Sequence, residues 1–186
     1  MVTDSYYKNQ EVTVCVTLAQ AKKHLKLRSG ESSEDELIQG YIDSAKEDRQ
    51  NYINRSIDTR DFVIEVSQFE TVSFAVNYDN DEVNSIQYYK QGETALTTLD
   101  ADSYKVRPGI VVGTKTITFK ETPQTEKRDD AVVIVVKQGW VSSKVPAPLK
   151  QAMLLLIGDQ YERREDRGEI GYNRAADALC RPYRKF

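Results

Sequence analysis

One segment sets the architecture of the chain: 145-VPAPLKQAMLLLIGDQY-161. Its two prolines fit the first turn of a helix, where a backbone N–H has no intrahelical partner to lose. From Leu149 through Tyr161 the segment is apolar over most of a helix circumference, so we predict the central buried helix near residues 147–166. Three arginines follow near its end (Arg163, Arg164 and Arg167), and Gly168 is the predicted C-cap.

Two further helices are predicted in the first third of the chain, and each opens on a capping box. In this motif a Ser or Thr side chain and a Glu or Gln side chain three residues later satisfy backbone amides at the helix start. Thr17 with Gln20 begins a helix near 17–28, and Ser33 with Glu36 begins one near 33–55. Apolar residues at helical spacing predict that the three helices form one bundle. Its predicted core includes Leu37, Ile38, Tyr41, Ile42, Ala152, Leu155 and Leu156.

In the middle of the chain the apolar residues no longer follow a helical spacing. Short runs rich in β-branched and aromatic residues predict strands near 62–66, 72–76, 86–89, 104–106, 116–119 and 132–136. No helical pattern intervenes, so an antiparallel meander or small barrel is expected. The predicted fold class is α+β: a helical bundle built from both chain ends, with an antiparallel β-rich insertion. The expected domains are a helical core of residues 1–58 and 145–186 and an insertion of residues 59–144.

The charge balance argues against a protein that acts mainly by gripping nucleic acid through its phosphates. The 186 residues include 26 Lys or Arg and 29 Asp or Glu, for a net charge of −3, whereas phosphate-binding proteins usually carry a basic excess. The first residues show no basic segment followed by an apolar one, so no signal peptide is predicted. The longest apolar run, Met153–Ile157, is too short to span a bilayer. Cys15 and Cys180 are therefore expected to be free thiols in a cytosolic protein.

No motif of an active site, a cofactor or a metal centre emerges from the sequence. The glycines do not fall into a phosphate-binding spacing. His24 is the only imidazole, and it is expected to be an exposed helix residue. Asp79-Asn80-Asp81-Glu82 resembles a calcium loop only superficially, because the loop's glycine and closing glutamate are missing, and a solvated hairpin turn is expected. No catalytic residue, cofactor or metal ion is predicted, and an enzyme is disfavoured.

The last six residues are basic and aromatic. Arg181, Tyr183, Arg184, Lys185 and Phe186 form a stretch that has two interpretations. One is a frayed tail. The other is a docking peptide that becomes ordered on a partner, anchored by its aromatic residues and oriented by its arginines.

Both helical ends carry sequence blocks in a recognisable order. The N-terminal block is 16-VTLAQAKKHL-25, followed by 35-DELI-38 and 52-YINR-55. The C-terminal block is 145-VPAPLKQA-152, followed by 161-YERRE-165 and the ending 178-ALCRPYR-184. Together these blocks resemble the head–tail connector proteins of long-tailed bacteriophages, in the longer form that carries a β insertion. We place no family counterpart for the residues before Val14.

The resemblance implies a structural adaptor that forms a ring beneath the portal, twelvefold in the virion, and extends the DNA channel. The implied partners are the phage portal protein, a neck or tail completion protein that docks on the ring, further copies of the chain, and passing genomic DNA bound without sequence specificity. No membrane partner is implied. The implied location is the head–tail junction of the virion, and the host bacterial cytoplasm during assembly. The C-terminal residues would then dock on the portal.

The acidic second helix is a candidate lining for such a channel. Its candidate residues are Glu34, Asp35, Glu36, Asp43, Glu47 and Asp48, although a plain solvated helix face explains them equally well. Two other classes of function remain open. A basic stripe formed in three dimensions would favour a DNA-packaging accessory or nucleic-acid-binding factor. A pocket that gathers His24 with carboxylates would favour an unrecognised enzyme.

Overall fold

The computed structural model describes residues 2–28, 30–76, 81–111, 113–163 and 173–185. The strands in this part of the chain are β1 (Val2–Glu11), β2 (Thr59–Val66), β3 (Val72–Ala75), β4 (Glu82–Tyr89), β5 (Leu96–Thr98), β6 (Tyr104–Pro108), β7 (Thr114–Phe119) and β8 (Val132–Gln138). The helices are α1 (Leu18–His24), α2 (Asp35–Ile53), α3 (Ala147–Glu162) and α4 (Arg174–Cys180). The predicted α+β class is confirmed.

The chain divides into two compact units. The β unit comprises Met1–Val12 and Asp58–Gly139, and the helical unit comprises Thr13–Ile57 and Trp140–Phe186. This division differs from the expected domain boundaries in two places. The first twelve residues belong to the β unit rather than to the helical core, and the second helical segment begins at Trp140 rather than at residue 145.

The β unit is built from two antiparallel sheets rather than one meander. The larger sheet has the strand order β1-β2-β8-β4-β5, and the smaller has the order β3-β7-β6. Side chains of both sheets, among them Ile64, Phe74, Ile86, Ile117 and Ile134, form one buried cluster. Strand β8 lies in the middle of the larger sheet, and its nearly continuous apolar run suits a strand that is buried on both faces.

The N-terminal strand β1 was not predicted, and neither was the short β5. β1 pairs antiparallel with β2, from Val2 opposite Val66 to Glu11 opposite Thr59. All ten residues of β1 are exposed, so its sequence lacks the alternation of apolar and polar residues by which a half-buried strand is recognised. Its conformation depends on a pairing partner about 55 residues further along the chain.

The two predicted capping boxes have different outcomes. The box at α1 is present: the Thr17 hydroxyl accepts the Gln20 N–H at 3.2 Å, and the Gln20 side chain accepts the Thr17 N–H at 2.9 Å. The box predicted at Ser33 is wrong, because α2 begins after Glu34, which makes no side-chain capping bond. The start of α2 is held instead by the buried Lys22, whose Nζ lies 2.5 Å from Asp35 Oδ1.

Helix α3 has one buried face. Leu149, Ala152, Met153 and Ile157 are buried, and their spacing matches a single stripe along the helix. Leu155 lies beside that stripe and Leu156 lies within it, yet both are only half-buried, so the prediction that they are core residues is wrong. The helix ends at Glu162 with Arg163 as its C-cap, and the predicted C-cap Gly168, with Arg164 and Arg167, lies outside the described residues.

The predicted core of α2 is confirmed only in part. Ile38 and Ile42 are buried as predicted. Leu37, however, is 40% exposed, and Tyr41 is half-buried. The reason is geometric: Ile38, Ile42, Ala45, Arg49 and Ile53 form the buried stripe of α2, and Leu37 lies one helical step (about 100°) away from it.

The burial difference within α3 gives the first prediction. Leu149→Ala removes a fully buried side chain and is expected to lower the free energy of unfolding by about 2–5 kcal/mol, through lost apolar transfer and a residual cavity. Leu155→Ala, in the same helix but at a half-buried position, is the matched control and should cost clearly less. Urea unfolding of the two variants measures the difference. Equal losses would contradict the assignment of the buried face.

Candidate functional site: the C-terminal segment and the acidic face of α2

The C-terminal segment begins with α4, which is fixed at its start by Asn173. The Asn173 side-chain oxygen accepts the Ala176 N–H at 2.9 Å, and its amide nitrogen donates to Asp159 Oδ2 at 2.6 Å. The first bond caps α4, and the second attaches it to the end of α3. A 3₁₀ turn, Arg181–Tyr183, follows α4 directly.

A buried arginine joins α2 to α4. Arg49 Nη1 donates to Asp177 Oδ1 at 2.7 Å, and both side chains are more than nine-tenths buried. The same guanidinium also binds Asp48 and lies 4.9 Å from the centre of the Tyr52 ring. Burial opposes the charged form, but the hydrogen bonds to Asp177 and Asp48 outweigh it and raise the pKa of Arg49 above its usual range. Arg49 is therefore a permanent charge in the interior, compensated by two carboxylates.

Cys180 ends α4 beside this cluster. Burial raises the pKa of its thiol, although Arg49 acts in the opposite direction. A thiol with a raised pKa carries little thiolate near neutral pH and is a poor nucleophile. Both Cys180 and Cys15 are buried and free, as expected from the sequence.

The proposed docking residues contact their own helical unit. The Tyr183 ring lies edge-on to Trp140 with 6.1 Å between centroids, and the Arg184 guanidinium lies 5.3 Å from the centre of the Tyr52 ring. The Lys185 N–H donates to the Ile53 carbonyl at 2.9 Å. The described part of the segment is thus attached to the body of the unit rather than frayed. Arg181 and Arg184 are exposed, Tyr183 and Lys185 are half-buried, and Phe186 lies outside the described residues.

The six acidic candidates on and before α2 separate into two groups. Glu34 accepts the Tyr161 hydroxyl at 2.5 Å, Asp35 pairs with Lys22, and Asp48 binds Arg49. Glu34 and Asp35 thereby link separate elements of the helical unit, whereas Asp48 binds its neighbour within α2. Glu36, Asp43 and Glu47 are exposed, and their spacing of seven and four residues places them on one stripe of α2. The stripe presents three negative charges, with Gly40 between the first two.

The candidate catalytic and metal-ligating residues of the sequence do not gather into a metal site within the described residues. His24 is exposed at the end of α1, and no group of three His, Cys, Asp or Glu that could hold a metal ion occurs within the described ranges. Asp81 corrects the expectation of a solvated turn at residues 79–82: it is fully buried, and its Oδ1 accepts the Gly139 N–H at 3.3 Å. Asp79 and Asn80 lie outside the described residues. Among the helices that the structure describes, none has the length and apolarity needed to cross a bilayer.

Sequence reasoning missed the Arg49–Asp177 pair. One signal was available, because Arg49 falls on the apolar stripe of α2 four residues after Ala45 and four before Ile53. A charge at such a position requires a buried partner. The sequence does not say which of the 29 acidic residues supplies it, because Asp177 is 128 positions away.

Comparison with known proteins gives a family and a fold. Residues 15–117 match the family described as "Phage gp6-like head-tail connector protein". The match includes α1, α2, strands β2 to β6 and the first part of β7, and it begins after β1. No curated protein matches the chain.

Solved structures share the fold over almost the whole chain. The neck of the empty gene transfer agent (GTA) particle, computed with C6 symmetry, contains a chain with 18% identity and a TM-score of 0.60, and the alignment covers 97% of this chain and 96% of that one. The neck of the native GTA particle, computed with C12 symmetry, gives 17% identity, a TM-score of 0.59 and coverages of 96% and 94%. The virion of the native GTA particle contains a chain with 18% identity and a TM-score of 0.54, and the alignment covers 96% of this chain and 95% of that one.

The two carboxylates on Arg49 provide the second prediction. Asp177→Asn removes the buried partner, and loss of one member of a buried ion pair is expected to lower the free energy of unfolding by about 3–5 kcal/mol. Asp48→Asn removes a partner that is 53% exposed, so it should cost less than about 1 kcal/mol. Urea unfolding at pH 7 measures both. A larger loss for Asp48→Asn would show that the buried pair is not the main attachment of α4.

Proposed function

The chain belongs to the phage gp6-like head-tail connector family, and from this membership we propose that it is a ring-forming adaptor of a phage or prophage head–tail junction. The proposed role is structural. The adaptor sits beneath the portal, extends the DNA channel and offers a surface to the next neck or tail protein. The observation that carries the proposal is the family match over residues 15–117, joined to a fold shared end to end with chains of GTA particle necks.

The ring is proposed from the symmetry of those related assemblies. The neck structures of the GTA particles were computed with C6 and C12 symmetry, and we propose twelve copies in the virion for this chain. A ring of identical subunits needs a heterologous contact, in which one surface of each copy binds a different surface of the next. The proposed location is the head–tail junction of the virion, after assembly in the bacterial cytoplasm.

The C-terminal segment is the proposed portal-docking element. Its two exposed arginines, Arg181 and Arg184, are displayed on a short 3₁₀ turn and the residue that follows it. Attachment of this turn to Trp140, Tyr52 and Ile53 supports docking without a large ordering cost, because the backbone is already held in place. Arginine and tyrosine are also the residue types enriched at binding hot spots.

The acidic stripe of α2 is the proposed channel lining. Glu36, Asp43 and Glu47 qualify among the six candidates because they are exposed on one stripe of α2, whereas Glu34, Asp35 and Asp48 bind Tyr161, Lys22 and Arg49. Negative side chains repel DNA phosphates, and a channel through which DNA must slide benefits from weak phosphate contacts. A reconstruction of the ring locates the stripe directly: the inner wall is expected, and the outer wall would exclude a lining role.

Assembly on the portal tests the proposed function. We expect the chain to be mainly monomeric at micromolar concentration and to form complete rings when the portal protein is added, because an interface that forms only during assembly is modest in area. Light scattering across a concentration series, with and without portal, measures this. A chain that stays monomeric with the portal present would contradict the adaptor role.

Charge reversal tests the docking element. Arg181→Glu with Arg184→Glu is expected to weaken portal binding at least about 30-fold, which corresponds to a hot-spot loss of 2 kcal/mol. Arg174→Glu, at an exposed position of α4, is the matched control and should bind normally. Substitution is preferable to deleting residues 181–186, because deletion also removes the contacts of Tyr183 and Lys185 with the helical unit. Binding by titration calorimetry, with melting curves for each variant, separates docking from folding. Unchanged binding in the double variant would remove these arginines from the interface.

A further inference from the structure

We propose that β1 is an exchangeable arm: in the assembled ring, β1 of one copy leaves its own β2 and pairs with β2 of the neighbouring copy. The inference rests on the proposed ring and adds to it the contact that links one subunit to the next. It commits to a second copy of this chain as the partner of the N-terminal segment.

β1 is attached to the β unit only at its surface. None of its ten residues is buried, and its side-chain partners lie mainly on β2. Tyr6 donates to Glu65 at 3.0 Å, Asn9 donates to Asp61 at 3.0 Å, and the Tyr7 ring lies 5.0 Å from the ring of Phe62. A strand whose residues are all exposed can leave without removing a buried side chain from the core.

The connection between the arm and the helical unit is very short. The Thr13 hydroxyl donates to the Trp140 carbonyl at 2.6 Å, and the Val14 N–H donates to the Ser142 hydroxyl oxygen at 3.0 Å. The pairing of β1 with β2 extends to Glu11, so Val12 alone lies between two fixed segments. Short hinge segments favour strand exchange, because the closed form constrains them and the open form does not.

The end of β1 next to this hinge is irregular. Asn9 has a φ of +52°, in the left-handed region that non-glycine residues seldom occupy. The pairing register also shifts between Lys8 and Glu11. Both features interrupt the regular pairing at the end of β1 that joins the hinge.

Apolar exposure is concentrated in the same segment. Five of the eleven large apolar side chains found exposed in the described part of the chain lie within residues 2–14: Val2, Tyr6, Tyr7, Val12 and Val14. These side chains are available for contact with another chain. Val12 is 77% exposed at the hinge itself, where an arm crossing between two copies would bring the neighbouring chain against it.

The energetics of exchange favour an assembled ring over free monomers. The pairing of β1 with a neighbour's β2 reproduces each backbone hydrogen bond of the closed form, so the pairing energy is unchanged. In solution the arm's own β2 is always closer. In a ring the next β2 is held at a high effective concentration, and exchange then adds a link between copies.

Disulfide trapping tests the exchange. Lys8 and Asp61 face each other across β1 and β2, at a separation suited to a disulfide. A Lys8→Cys chain and an Asp61→Cys chain, distinguished by size, are mixed, assembled on the portal and oxidised. We expect a cross-linked pair of the two chains in assembled rings and none in the unassembled mixture. Lys8→Cys mixed with Glu65→Cys is the matched control, since that position lies four residues, about 13 Å, out of register. Oxidised rings without the mixed product would overturn the proposal.

Locking the arm separates this inference from the proposed function. The double variant Lys8→Cys/Asp61→Cys, oxidised as a monomer, holds β1 on its own β2, and we expect it to lose ring formation and regain it on reduction. If the locked chain forms rings as well as the reduced one, the exchange is wrong and the ring proposal stands. If the unmodified chain itself forms no ring with the portal, the proposed function fails and the exchange fails with it.

Discussion

The buried Arg49 guanidinium constrains how α2 and α4 can pack. Arg49 lies on the inner stripe of α2, where an isolated charge would be strongly destabilising. Asp177 removes that penalty and in doing so fixes α4 against α2, while Cys180 and Tyr52 complete the surroundings of the charge. The residues after α4 then have a firm start, which is why Arg181 and Arg184 have a defined position on the surface.

The elements that the sequence predicted are those whose pattern is local. Thr17 and Gln20 cap α1 through bonds between neighbours, and the apolar run of β8 reflects burial on both faces. β1 was not predicted, because its conformation depends on pairing with β2 and its sequence shows no alternation of apolar and polar residues. Leu37 and Leu155 were wrongly predicted as core residues for a different reason. Periodicity identifies the apolar side of a helix, but the neighbouring elements decide which residues on that side are buried.

The candidate site was likewise predictable only where its pattern is local. Composition identified the basic, aromatic C-terminus and the acidic α2, but it could not show which charges are engaged. Glu34, Asp35 and Asp48 look the same in sequence as Glu36, Asp43 and Glu47. They differ only because Tyr161, Lys22 and Arg49 lie within reach of the first three. The partners lie 127 positions away for Glu34, 13 for Asp35 and one for Asp48, so no fixed spacing in the sequence identifies the engaged carboxylates.

The central position of β8 has a consequence for how the chain folds. β8 pairs with β2, whose residues precede it by about 70 positions, and with β4 on its other side. On a ribosome, the larger sheet therefore cannot close until Gln138 has emerged, and α2 must wait still longer for Asp177. Non-local pairing of this kind makes folding slow and leaves strand edges unpaired during synthesis. The β2 edge that pairs with β8 therefore stays open on the nascent chain until Gln138 has emerged.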